Sequence, residues 1–175
     1  LGVIHLKDII KEGVALITED RKVTGLNLSG SVNDNIAMVA IKKLLSHGLY
    51  NKNKARAASM EYIKKLNIKT PSGDQITGNL SGGNQQKIVI AKWLLNDPDI
   101  IILDEPTRGI DVGAKRDIYL LLGKLVQQGK AVIMISSEIP ELMGVCDRIM
   151  VMCEGNLSGE VQRDAFSQER IMTLA

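Results

Sequence analysis

Aromatic side chains are scarce in these 175 residues, with one Trp, three Tyr and one Phe. They stand at Tyr50, Tyr62, Trp93, Tyr119 and Phe166, too few and too scattered for a platform on which bases stack. Thiols are scarcer still. Cys146 and Cys153 stand alone, and without a basic-then-apolar leader pattern they read as reduced packing residues rather than a disulfide. His5 and His47 lie far apart with no ligand-like spacing near either, which argues against a zinc site or a histidine-based triad. No uninterrupted apolar run approaches the roughly 20 residues needed to cross a bilayer. The formal net charge is only +2, so nothing electrostatic points to nucleic acid. The chain is 45% hydrophobic and 24% charged, which is ordinary for a folded domain and excludes a disordered tail.

The apolar residues alternate between two periods. Val14-Ala15-Leu16-Ile17, Ile100-Ile101-Ile102-Leu103, Ala131-Val132-Ile133-Met134-Ile135 and Ile149-Met150-Val151-Met152 are short continuous runs, the pattern of strands covered on both faces of a parallel sheet. Between the second and third, Ile118, Leu121, Leu122 and Leu125 follow helical spacing, and Gly129 supplies a stop. Strand, helix, strand reads as a βαβ unit. Residues 25–97 read instead as three successive helices with no strand between them. The first covers about 33–46, capped by Ser31 or Asn33. The second covers about 53–66 with Ala55, Ala58, Tyr62 and Leu66 inward. The third covers about 83–96 with Ile88, Ala91 and Leu95 inward, and Pro98 closes it. Asn51-Lys52-Asn53-Lys54 reads as a solvated turn, and the tail reads as a strand over 155–161 and a helix over 168–174. The fold class expected is therefore α/β, a mostly parallel sheet flanked by helices (1–24 and 98–175) with a helical subdomain inserted at 25–97.

Two motifs carry chemistry. Leu80-Ser81-Gly82-Gly83-Asn84-Gln85-Gln86 precedes an apolar helical run. Glycines let a ligand approach the backbone, and a helix N-terminus with free N–H groups and a nearby hydroxyl suits phosphate. The same residues also fit a plain N-cap after a glycine turn. The strand Ile100–Leu103 ends in Asp104 and Glu105. At the carboxyl edge of an open α/β sheet, where ligands bind, two acids suit Mg²⁺ and an attacking water. A strand end that merely reaches solvent would show the same pair.

Together the motifs resemble the nucleotide-binding domain of ABC ATPases, P-loop NTPase-like proteins. LSGGNQQK (80–87) is similar to the ABC signature, IIILDEP (100–106) to Walker B and its catalytic glutamate, and Gly109-Ile110-Asp111 to the D-loop. ITEDRKVTGLNLSGSVNDNIAM (17–38), EPTRGIDVGAK (105–115) and ISSEIPELMGVCDRIMVMCEG (135–155) resemble one subfamily. It is the C-terminal nucleotide-binding domain of tandem ATPases that energise bacterial import of ribose, galactose or xylose.

The resemblance implies ATP and Mg²⁺ as ligands, with Asp104 on the metal and Glu105 as general base. It implies that Ser81, Gly82, Gly83, Asn84 and Gln85 contact nucleotide held by the N-terminal domain of the same polypeptide. It places Glu19 at the Q-loop position, Asp111 in the D-loop and Ser137 where a switch histidine normally stands. Membrane permease subunits, an extracytoplasmic sugar-binding protein and a peripheral location on the cytoplasmic face of the bacterial inner membrane follow from it. The Walker A string Gly-x-x-Gly-x-Gly-Lys-Ser/Thr does not occur, so the chain reads as a fragment cut after its P-loop and inactive alone. Glu19 and Ser137 in place of glutamine and histidine imply a poorly hydrolysing site of its own. The basic face of 52–65 suits either permease docking or plain solubility. Two other functions remain open. One is a nucleic-acid-handling ABC ATPase, disfavoured because no heptad run or long basic insertion separates the motifs. The other is a non-catalytic interaction module.

Overall fold

A computed structural model describes residues 6–175; His5 lies outside the described residues. The chain divides into two compact units, one ending at Ile133 and the other running Met134–Ala175. In the first, α1 (Leu6–Lys11) leads into β1 (Val14–Ile17). β1 pairs in parallel with β4 (Ile100–Asp104), Val14 opposite Ile100 and Ile17 opposite Leu103. With β5 (Ala131–Ile135) they form a sheet of order β1-β4-β5. These are the strands that the short apolar runs predict. Their burial is one-sided, however. Ala15, Ile17, Ile101 and Leu103 are buried, whereas Leu16, Ile133 and Ile135 are 42–50% exposed. β1 carries α4 (Gly82–Leu94) on its covered side, and among the described residues the sheet is not covered on both faces.

Helices account for most of residues 25–97, with several departures from the sequence reading. The first helix is not continuous over 33–46. α2 (Val32–Ala37) passes into a tighter 3-10 stretch, Met38–Leu44, with a kink at Ala40. A small antiparallel hairpin follows, β2 (Leu45–Ser46) and β3 (Leu49–Tyr50). His47 and Gly48 turn it with φ of 50° and 82°, the left-handed pair that a two-residue hairpin requires. The 51–54 patch is not a turn either. Asn51 caps α3 (Lys52–Lys65) by accepting from the Lys54 N–H at 3.0 Å. The buried seam of α3 is Ala55, Ser59 and Ile63, while Ala58 and Tyr62 are half-buried. A serine reaches the core there because its hydroxyl has a partner, the Asn33 carbonyl at 3.3 Å. α4 and then α5 (Val112–Gln127) complete the unit, with Gly129 at φ 85° as the expected stop.

The second unit holds α6 (Ile139–Val145), β6 (Arg148–Cys153), β7 (Asn156–Gln162) and α7 (Gln168–Leu174). The run at 149–152 lies in β6 as predicted, but β6 pairs antiparallel with β7. Glu154 and Gly155, at φ 47° and 80°, make the tight turn that permits this. Ile149 and Val151 are buried against Val161 and Ile171, while Met150 and Met152 are exposed. A hairpin covered by helices on one side alternates in this way.

Asn35 holds the entry to the helical region. It is fully buried. Its Oδ1 accepts from the Asn27 N–H at 2.8 Å, and its amide donates to Asn27 O, Ser31 O and Thr77 Oγ1 at 2.9–3.0 Å. Asn35→Ala strands several polar groups away from water and is expected to cost about 2–3 kcal/mol, read as a lower midpoint in urea unfolding.

Candidate functional site

The N-terminus of α4 is built by close packing. Ser81 occupies the N-cap position at φ −62°, ψ 155°, yet its hydroxyl makes no cap hydrogen bond. The amides of Gly82, Gly83 and Asn84 begin the helix and have no intrahelical carbonyl to use. Gly83 answers a packing demand. A Cβ placed there would lie 2.5 Å from Ala114 Cβ, and the same point is 3.9 Å from Asp111 Oδ2. Asp111 caps α5 by accepting from the Ala114 N–H at 2.9 Å. The glycine therefore lets the start of α5 lie directly against the start of α4, and two of the sequence-predicted segments meet.

A second link fixes the same two helices. The ammonium group of Lys87, on a buried residue, donates to Asp117 Oδ2 at 2.7 Å and to the Asn67 carbonyl at 3.2 Å. That hydrogen bond and charge hold the Asp117 carboxyl below its ordinary pKa. Farther along α4, Lys92 is buried and donates to the Gly25 carbonyl. Burial pushes its pKa down.

At the other side of the site, β4 delivers Asp104 and Glu105 to the carboxyl edge of the sheet, both half-buried. Glu105 has φ of 46°. A non-glycine residue in this left-handed region costs energy, as it does at the His47 and Glu154 hairpin turns. A turn follows, with the Arg108 N–H donating to the Glu105 carbonyl at 3.2 Å. Arg108 then pairs with Glu19. Asp20 caps the adjoining π-type turn, Arg21–Gly25, by accepting from the Lys22 and Val23 amides.

Arg21 closes the arrangement. Its Nη1 donates to the Arg108 carbonyl at 3.1 Å. A Cβ on Gly82 would sit 2.9 Å from its Nη2 and 3.4 Å from the Gly109 carbonyl. Glu19, Arg21, Gly82, Gly83, Asp111 and the turn after Glu105 thus belong to one connected edge. Arg21 and Arg108 were not singled out from sequence, although Arg21 lies two residues after Glu19 and Arg108 three after Glu105. Gln85 is buried, and its amide donates to the Thr77 and Leu80 carbonyls at 3.3 and 3.1 Å. Ser137 lies in the second unit, exposed, in a turn tied by Ser136. The Ser136 hydroxyl donates to Glu141 at 2.5 Å and accepts from the Glu138 N–H at 3.1 Å.

Chemically, the start of α4 presents donors to an anion. No three His, Cys, Asp or Glu residues cluster as metal ligands among the described residues. Mg²⁺ takes one or two carboxylates and keeps water and phosphate oxygens, and Asp104 at the end of β4 could supply one.

A family model described as ABC transporter matches residues 6–108. A ribose import ATP-binding protein of Clostridium tetani is 54% identical over 97% of this chain and 34% of its own length. A xylose import ATP-binding protein of Thermoanaerobacter pseudethanolicus is 52% identical over 96% of this chain and 33% of its own. The chain spans about a third of the length of the curated relatives it matches. Among solved structures, the dimeric post-hydrolysis state of an ATP-binding cassette bound to ADP and Pi superposes with TM-score 0.75 at 24% identity. It covers 93% of this chain and 69% of that one. An inward-facing metal-chelate type ABC transporter gives TM-score 0.77 at 20% identity, covering 92% and 63%. These likenesses show the fold.

Gly83→Ala is expected to destabilise by about 1–2 kcal/mol, overpacking outweighing the gain in helix propensity. Gly123, within α5, has nothing within 4 Å of the point where a Cβ would stand, so Gly123→Ala is expected to stabilise by about 0.5–1 kcal/mol. Urea unfolding of both variants checks the contrast.

Proposed function

Because the chain belongs to the ABC transporter family, we propose that it forms part of an ATPase that energises import of a monosaccharide. The observation that carries this reading is the single edge on which the open N-terminus of α4, the Asp111 cap and the Glu19–Arg108 turn are joined. The relatives' names, ribose and xylose import ATP-binding proteins, supply the substrate class.

In this reading Ser81, with the Gly82 and Gly83 amides, donates to phosphate oxygens of ATP held by a partner nucleotide-binding domain. Asn84 belongs to the same presented segment, whereas the Gln85 side chain is buried and spent on the Thr77 and Leu80 carbonyls. Asp104 holds Mg²⁺, which when bound supplies charge neutralisation for phosphoryl transfer. Glu105 orients the attacking water and accepts its proton. The loop that cradles phosphate for this half is supplied from outside these 175 residues, so the chain alone turns over little ATP. Asp111 and its loop face the partner domain, which in the proposed assembly is the N-terminal half of one polypeptide. Membrane permease subunits dock on the helical region 25–97, and an extracytoplasmic binding protein delivers the sugar. No helix among the described residues is long and apolar enough to cross a membrane. A peripheral position on the cytoplasmic face of the inner membrane belongs to the same proposal.

The half-site that contains Glu105 is the weaker of the two. Glu19 stands where a glutamine is usual and pairs with Arg108, and Ser137 stands where a switch histidine is usual, with a short, neutral hydroxyl that cannot act as a cation. In the full-length protein, Ser81→Ala is expected to lower ATP turnover by about 10- to 100-fold, as loss of a hydrogen bond to a charged group implies. Glu105→Gln should lower it by less than about threefold, since RT ln 3 is only a fraction of one such bond. Equal losses in steady-state ATPase assays would refute the asymmetry.

A further inference from the structure

Within the Ser81–Gln85 segment, the Asn84 side-chain amide bridges two different partners outside the helix interior. Its Oδ1 accepts from the Lys69 N–H at 2.8 Å. Its Nδ2 donates to Ser81 Oγ at 2.9 Å. The orientation of the amide follows from chemistry. A backbone N–H can only donate, so the atom facing Lys69 must be the carbonyl oxygen, and the NH₂ group must face Ser81.

The consequence falls on the serine. A hydroxyl carries one proton and two lone pairs. With one lone pair filled by Asn84, the Ser81 proton is directed away from that amide. The hydroxyl takes no helix amide as a cap, and Ser81 is exposed. Its donor face is therefore turned to solvent at the start of α4, where the free helix amides also point.

We infer that Asn84 is a positioning residue that fixes the Ser81 hydroxyl as a hydrogen-bond donor toward an anion at the N-terminus of α4. The inference deepens the signature role proposed above and rests on it. Asn84 does not need to touch nucleotide. It sets the hydroxyl rotor before the anion arrives, so the ordering is already done in the free protein. Lys69, through its backbone alone, holds Asn84 in place and thereby joins the segment after α3 to the anion site.

The test uses the full-length protein and a phosphate mimic, orthovanadate with ADP and Mg²⁺, read as the vanadate concentration that half-traps nucleotide. Ser81→Ala and Asn84→Ala are each expected to raise it about tenfold, as loss of a hydrogen bond to a charged group implies. The double variant is also expected near tenfold, because both changes remove the same bond. A double variant near 100-fold means that Asn84 acts independently of Ser81 and overturns the inference, as does an Asn84→Ala that traps normally. A Ser81→Ala that traps normally overturns the proposed signature role, and the inference with it.

Asn84→Asp guards against a loss of folding, since it keeps an acceptor for Lys69. It should weaken trapping several-fold more with Ser81 present than in the Ser81→Ala background, because only Ser81 has a hydroxyl proton for the carboxylate to draw away. Equal cost in both backgrounds overturns the inference. Thermal unfolding of each variant separates a general loss of structure from this coupling.

Discussion

A helix enclosed on every side can carry polar side chains only if each finds a partner, and α4 is such a helix. Ile88, Val89, Ile90 and Ala91 are at most 1% exposed, and Gln85, Gln86, Lys87 and Lys92 are buried beside them. Gln85 answers the Thr77 and Leu80 carbonyls, Lys87 answers Asn67 and Asp117, and Lys92 answers Gly25. Each pairing pins a different segment of chain to α4. Apolar residues would fill the same space at no desolvation cost, so these polar contacts contribute chiefly to specifying which loop lies where. The helix interior is satisfied while its first amides have no side-chain cap, and that contrast sets the two ends of α4 apart.

Electrostatics at the sheet edge has the opposite character. Glu19 and Arg108 are 45% and 68% exposed at their side chains, so their attraction is screened by water and contributes little to stability. Arg21 ties the same turn to the glycines of α4 through a neutral carbonyl and close packing. The edge is thus held by geometry from the α4 side and by a weak ion pair from the β1 side. A pair of this kind costs little to open.

The strand runs were legible because continuous apolar stretches bounded by polar residues have few other uses, and β1, β4, β5 and β6 all fall where they indicate. The parallel pairing of β1 with β4 follows that reading, but the antiparallel pairing of β6 was not legible. The partner of β6 is set by the Glu154-Gly155 turn, whose left-handed backbone could have been noticed from the Glu-Gly step. The His47-Gly48 hairpin was missed for the same reason. The inward face of α3 was shifted because periodicity counts apolar residues, whereas Ser59 is buried on the strength of a hydrogen bond. At the site, the motifs located the right segments, but Arg21, Arg108 and Lys69 join it through contacts between distant parts of the chain. No local pattern encodes such contacts.

The contact between Gly83 and Ala114 also bears on how this sequence can change over time. Any side chain added at position 83 needs space that Ala114 occupies. The only smaller residue for position 114 is glycine, which would weaken α5 by about 1 kcal/mol. Neither position has a neutral first step, and a compensated second step begins from a less stable protein. The two residues form an epistatic pair, so drift at one is conditional on the other. Sequence variation around this edge should therefore collect in the side chains that flank the pair.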